Sequence, residues 1–204
     1  MLPVTIIIKK PEIIEMLKLK LIAMAFLFLI SIATSCGDNK PSEETTQPSV
    51  PEKSICELLS KEEVGKIMGA NFEEATQTLH TVNAEAGSYV SQCGYYTNKG
   101  LQHVAVLVRY FKGTIFPQSA EKFLAASRSG DAEIDAEVDK ALKNHIKVQG
   151  LGDAAFFYSL WESNSLVVHW DKSYEMIISM YHFNLDEPTM EKIKQLAQAV
   201  KKLF

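Results

Sequence analysis

The feature that most limits what this chain can fold into is an apolar run near its N-terminus that ends close to a cysteine. Lys18 and Lys20 precede the run, which covers residues 21–34, and Cys36 follows it. The run is shorter than the roughly 18 to 20 residues that cross a bilayer core, and basic, apolar and small residues in that order are typical of an export signal. We therefore expect residues 1–35 to be a signal peptide and the folded part to follow Cys36.

The end of this signal resembles a lipobox, with Ala33, Thr34, Ser35 and Cys36 as its last residues. The resemblance implies cleavage before Cys36, a diacylglycerol thioether on its sulfur, and fatty acyl chains such as palmitate that hold the mature protein at a membrane. The alternative is an ordinary signal followed by a buried or disulfide-bonded Cys36. The polar sequence GDNKPSEE directly after the cysteine favours lipidation.

Two further expectations follow from this region. Residues 1–15 add a second apolar patch, a proline and two glutamates ahead of the basic start, so we expect translation to begin at Met16. Asp38 is not directly after Cys36, and by resemblance to known sorting rules this favours the outer membrane over the inner one.

The part of the chain after the signal divides into a tether and one domain. Residues 36–53 lack periodic apolar positions and are rich in Pro, Ser, Thr and Glu, which is typical of a flexible spacer. Residues 54–204 have the length of a single domain. From Cys36 onward the chain has 17 basic and 23 acidic residues, a net charge of -6, which argues against a nucleic-acid partner.

Local patterns predict the elements of the first half of the domain. Ser60 with Glu63 forms a capping box for a helix that ends at Gly69. Strands are predicted at residues 75–82, 92–97 and 102–111, the last with Val104, Val106, Val108 and Tyr110 on one face. The turn between the second and third strands is predicted at Asn98, Lys99 and Gly100.

The second half is predicted to contain three helices and three strands. Pro117 is placed at the first position of one helix and Gly130 at its end, and Ile134, Val138, Ala141 and Leu142 indicate the next. A strand follows GLGD at 150–153. A hairpin with a two-residue turn at Lys172 and Ser173 would place His169 opposite Met176.

The last predicted helix begins near Pro188 and has its apolar stripe at Met190, Ile193, Leu196, Ala197, Val200 and Leu203. Because the predicted hairpin is apolar on both faces, its sheet needs cover on both sides. These patterns predict an α+β domain in which an antiparallel sheet packs between helices.

Cys56 and Cys93 remain once Cys36 is acylated. An even number of cysteines in an exported domain favours a disulfide, and two buried free thiols are the alternative. A redox role would require a pattern such as CxxC, which the sequence lacks.

Several short motifs resemble those of uncharacterised bacterial cell-envelope lipoproteins. They are Cys56-Glu-Leu-Leu-Ser60, Glu63-Val64 with Gly69, Cys93-Gly-Tyr95, Gly150-Leu-Gly-Asp153-Ala-Ala-Phe156 and Leu196-Ala197. The resemblance covers most of residues 54–203. It implies a PsbP-like α/β/α sandwich, supports pairing of Cys56 with Cys93, and brings no catalytic residues or cofactors.

The sequence offers no strong catalytic or metal site. Gly150-Leu-Gly-Asp153 precedes a strand and indicates a tight turn rather than a phosphate cradle, and there is no GxSxG elbow. His169, Asp171 and His182 form a conceivable metal site that the predicted register disfavours. His80, His103 and His145 are more simply surface or satisfied histidines.

Two functions remain open at this stage. The favoured one is a non-catalytic, lipid-anchored envelope protein that binds another envelope protein or assembly. The alternative is a carrier or sensor that holds a small apolar ligand between sheet and helix, lined by Phe157, Tyr158, Trp161 and Trp170, although aromatic residues on paired strands are more often core.

Overall fold

The computed structural model describes residues 51–97 and 102–204. The expected start at Met16, the expected signal peptide, the expected acylation site at Cys36 and the predicted turn at residues 98–100 lie outside these residues. Five helices are described: α1 (Ile55–Leu58), α2 (Lys61–Met68), α3 (Ala120–Ala125), α4 (Ala132–Asn144) and α5 (Glu187–Lys201). Seven strands are described: β1 (Phe72–Asn83), β2 (Ser88–Thr97), β3 (His103–Phe111), β4 (Ile146–Val148), β5 (Ala154–Leu160), β6 (Ser163–Trp170) and β7 (Tyr174–Tyr181).

The seven strands form one antiparallel sheet in the order β1-β2-β3-β7-β6-β5-β4. Each neighbouring pair is antiparallel, including β3 with β7, which joins the N-terminal meander to the C-terminal one. The prediction of an α+β domain with an antiparallel sheet is therefore confirmed.

Helices pack on both faces of this sheet. On β6, Leu166 belongs to the main core with α1, α2 and α5, whereas the next residue, Val167, belongs to a second cluster with α3 and α4. Phe157 and Phe156 divide between the two clusters in the same way on β5. Because successive side chains of a strand point to opposite faces, we call the α1–α2–α5 side the first face and the α3–α4 side the second face.

The inward side chains of β2 hold the segment that enters the domain. Tyr89 donates a hydrogen bond to the carbonyl of Lys53 (3.0 Å), Ser91 accepts one from the amide of Ile55 (3.0 Å), and Tyr95 donates one to the carbonyl of Leu59 (2.8 Å). Cys93, between them on the same face, is bonded to Cys56, with a Cα–Cα distance of 5.3 Å. Four alternate residues of one strand thus fix the start of the domain to the first face.

The helix termini agree with the predictions except at α3. Ser60 and Glu63 form the expected capping box of α2, and Gly69 ends it in the left-handed region with a φ of 67°. The prediction that α3 begins at Pro117 and ends at Gly130 is wrong. Its cap is Ser119, whose hydroxyl accepts from the amide of Lys122, and the helix stops after Ala125.

The predicted register between β6 and β7 is also wrong by one residue. The turn has three residues, 171–173, because Trp170 pairs with Tyr174. Asp171 and Lys172 both have positive φ values, 48° and 58°, which let the chain reverse with an extra residue. A shift of one residue changes every cross-strand partner, so His169 lies opposite Glu175 and not Met176.

Candidate functional site

A row made of an arginine, a glutamate and a histidine crosses the second face of the sheet on three neighbouring strands. Arg109 of β3 lies opposite Glu175 of β7, and Glu175 lies opposite His169 of β6. Arg109 donates to Oε1 of Glu175 through Nε (2.7 Å) and through its terminal nitrogen, while Nε2 of His169 lies 3.1 Å from Oε2. We call Arg109, Glu175 and His169 the buried row.

Little of this row is accessible to water. The side chains of His169 and Glu175 are 0% and 1% exposed, and that of Arg109 is 24% exposed. Burial alone would raise the pKa of Glu175, but the hydrogen bond from His169 and the charge of Arg109 outweigh it and hold that pKa below its ordinary value. Glu175 is therefore a buried carboxylate that stays ionised at neutral pH.

Aromatic rings close the buried row on the helix side. The ring of Phe116, in the segment after β3, lies nearly parallel to that of His169 with centroids 6.0 Å apart, and the Arg109 guanidinium lies 5.5 Å from the same Phe116 ring. Phe123 and Phe156 pack within 6.4 Å of His169. A substrate would have to displace these rings, so we interpret the row as a device that fixes the segment between β3 and α3.

A second row consists of stacked rings and lies six residues from the buried row along β3. His103 of β3 stacks on Tyr181 of β7 at 4.0 Å and on Tyr96 of β2 at 5.2 Å. Burial and the charge of His182 lower the pKa of His103, so its ring is neutral at neutral pH. We call Tyr96, His103 and Tyr181 the ring row.

Apolar side chains on β1, β2 and β3 fill the second face between these two rows. The register aligns Leu79 of β1 with Gln92 of β2 and Leu107 of β3, and Val90 lies beside Arg109. Leu79 is 42% exposed, and the others keep part of their surface exposed. We use the name open face for the ring row and the uncovered residues beside it on the second face. These residues are Leu79, Val90, Gln92, Ala105, Leu107, Tyr96, His103 and Tyr181.

Serine hydroxyls lie on the same face next to the open face, but they pair with each other. Ser165 Oγ is 2.9 Å from Ser179 Oγ and 3.2 Å from Ser163 Oγ. Burial raises the pKa of neighbouring Tyr158 to about 12, despite a hydrogen bond with Ser165. None of these contacts joins a serine to a histidine, so the cluster does not have the arrangement of a nucleophile and base.

Two surface grooves lie at the end of the sheet near Gly69. One, of about 630 Å³, runs along α2 and the start of β1, and the other, of about 800 Å³, reaches from there to Thr97, Gln102 and His182. The two linings share Gly69, Ala70, Asn71 and Glu73, and neither includes Phe157, Tyr158, Trp161 or Trp170. They give no support to an apolar ligand held between sheet and helix.

The structure separates the residues of the conceivable metal site. His169 is buried in its row, Asp171 is exposed in the β6–β7 turn, and His182 is exposed beyond the other end of β7, near Glu162 at 3.9 Å. Among the described residues, no three His, Cys, Asp or Glu side chains come together as a metal-binding group.

The four aromatic residues that could line a ligand groove lie in different environments. Phe157 and Trp170 are buried in the main core, and Tyr158 packs against the second cluster. The expectation that these aromatics are core is wrong for Trp161, which is 54% exposed in the β5–β6 turn with a φ of 52°. His145 is half-buried and contacts the carbonyl of Leu142, as expected. His80 is also half-buried and contacts the carbonyl of Glu52 through Nε2, but its Nδ1 is buried without a hydrogen-bond partner among the described residues, so the expectation of a satisfied ring holds for one of its two nitrogens.

Comparisons with known proteins leave the chain without an assigned family. Within residues 51–97 and 102–204, no helix is both long and apolar enough to span a membrane. No family model, no curated protein and no solved structure matches the chain.

Proposed function

We propose that the chain is a lipid-anchored protein of the bacterial cell envelope, acylated at Cys36, whose domain is non-catalytic and acts by binding another envelope protein or assembly. The observation that carries the binding role is the open face. It presents Leu79, Leu107 and the ring row at least partly exposed, while α3 and α4 cover the second-face residues of β5, β6 and β7, such as Phe156, Val167 and Ile177. Exposed apolar surface of this kind marks interaction sites on soluble domains.

The absence of a reactive arrangement among the described residues is compatible with this role. The buried row is closed by Phe116, and the serine hydroxyls bond to each other. We assign the domain no cofactor and no nucleic-acid partner, since the chain from Cys36 onward has a net charge of -6.

We extend the proposal to the family and the location. The resemblance to the uncharacterised lipoprotein family implies a PsbP-like sandwich and a bond between Cys56 and Cys93. Helices on both faces of the sheet and the Cys56–Cys93 bond support membership of that family. Residues 37–39, Gly-Asp-Asn, favour the outer membrane.

The lipid anchor is tested by Cys36→Ser in the full chain, with cells fed a radiolabelled or clickable palmitate analogue. We expect the wild type to take up the label and to sediment with membranes. The Ser variant should lose the label, its membrane association and the processing of its signal. A variant that remains in the membrane fraction at the wild-type level contradicts the anchor, and Cys56→Ser serves as the control for loss of a cysteine elsewhere.

A further inference from the structure

We infer that the occupant of the open face is a second copy of this chain, so that two domains meet sheet against sheet. This inference rests on the proposed function, because it names the partner of the surface that carries it. The resulting contact would be isologous: the same face on each copy, related by a two-fold axis.

The charge distribution fits self-association. The chain from Cys36 onward carries a net charge of -6, and two copies would repel each other through most surfaces. Beside the open face, the charge of Arg109 is balanced by Glu175 of the buried row. On the open face itself, burial together with the charge of His182 lowers the pKa of His103. Glu74, opposite Tyr96, is the carboxylate that borders the face on β1. Two copies can therefore meet here without opposing like charges across the centre.

The shape of the face also fits a second sheet. The uncovered second-face positions lie mainly on β1, β2 and β3, which pair in register, as strands on the inner face of a two-sheet sandwich do. These three strands have 12, 10 and 9 residues and lie about 4.8 Å apart, so they cover about 500 Å² per copy. The two copies would bury about 1,000 Å², the lower limit of a specific interface, so we expect a reversible dimer.

The tether does not obstruct this arrangement. The chain enters the domain at Glu52 and Lys53, whose carbonyls contact His80 and Tyr89 near the β1–β2 turn. A two-fold axis parallel to the strands, between the two open faces, leaves both entry points at the same end. Two domains anchored to one membrane can thus pair, and anchoring raises the concentration at which they meet.

The test is site-specific photo-crosslinking of the full chain in intact cells. The photoreactive residue p-benzoylphenylalanine replaces Gln92, at the centre of the face, in cells that also express a second, differently tagged copy. We expect a covalent product that contains both tags and no other protein. Adding Leu79→Asp should reduce its yield at least about tenfold, because a carboxylate would be buried without a partner.

Ile146→Asp is the matched control. Ile146 lies on β4, the opposite edge of the sheet, and is 46% exposed against 42% for Leu79, so it should leave the yield unchanged. A product that contains a different protein, no product from Gln92, or equal effects of the two aspartates overturns the second-copy assignment. Repeating the experiment with Cys36→Ser separates the two proposals, since loss of lipid labelling tests the anchor and the two-tag product tests the face.

Discussion

Replacing Glu175 by glutamine removes the only negative charge of the buried row while it keeps the shape of the side chain. Glu175 is 1% exposed and accepts hydrogen bonds from Arg109 and His169. Breaking a buried ion pair by removal of one partner costs about 3 to 5 kcal/mol. Because Arg109 is 24% exposed and can recover some hydration, we expect a loss of about 3 kcal/mol in the free energy of unfolding, at the lower end of that range.

The assay is urea unfolding of residues 54–204 at pH 7, followed by far-UV circular dichroism. Glu85→Gln, in the exposed β1–β2 turn, is the control and should change stability by less than about 0.5 kcal/mol. In a double variant, Arg109→Met with Glu175→Met, the free energy of unfolding should fall by much less than the sum of the losses in the two single variants. The reason is that no unpaired charge remains in the double variant. A loss below about 1 kcal/mol for Glu175→Gln, or additive effects in the cycle, would refute the pairing.

The same variant predicts a pH dependence with a defined sign. Because the folded-state pKa of Glu175 is lowered, its contribution to stability is present above the unfolded-state pKa and is lost as the pH falls through the folded-state value. The stability difference between wild type and Glu175→Gln should therefore be largest near neutral pH and should shrink in acid. A difference that grows as the pH falls would show that the carboxylate is not held ionised by its partners.

Three further comparisons test other parts of the domain by the same unfolding assay. Replacing Cys56 and Cys93 together by alanine removes a disulfide that joins residues 37 apart in sequence. The free energy of unfolding should fall by roughly 4 kcal/mol on the chain-entropy model. Two titratable thiols in the wild type would contradict the bond and this expected loss. Trp161→Gly should leave stability unchanged or raise it by up to about 1 kcal/mol, because a bulky residue with a φ of 52° is strained and glycine is not; a clear loss would show that the indole packs on the fold. Gly152→Ala should lower the free energy of unfolding more than Gly113→Ala does. Both glycines have positive φ, but only the new methyl group at 152 would lie 2.3 Å from a backbone oxygen of β6. Equal losses for the two variants would contradict that contact.

Local chemistry was sufficient to predict much of the fold. The capping box at Ser60, the left-handed Gly69 and the period-two stripe from Val104 to Tyr110 each depend on residues close in sequence, and all three are confirmed. The short β4, with three residues, has too few positions to show a period, and the sequence patterns missed it.

The buried row could not be predicted, because its members meet through long-range pairing. Arg109 and Glu175 are joined by the β3–β7 ladder, and nothing near either residue in sequence indicates that contact. His169 and Glu175 are close in sequence, but the assumed two-residue turn placed them out of register. Asp171 and Lys172 adopt left-handed conformations that are usually signalled by glycine, so the extra turn residue gave no sequence signal.

The hydrogen bonds and the disulfide that join β2 to the start of the domain affect how the domain resists force. A pull on the tether enters at Lys53 and passes within a few residues to Cys56, whose bond to Cys93 transfers it to a strand inside the sheet. With the disulfide closed, α1 cannot be peeled away from the domain, and the load has to shear β2 against the ladders on both of its sides. With the disulfide reduced, the same load is resisted by the separate hydrogen bonds that Tyr89, Ser91 and Tyr95 make with this segment and by the burial of Ile55 and Leu59, and these contacts can break one after another. The oxidation state of one bond thus sets how much force the domain can bear at the point where it is attached.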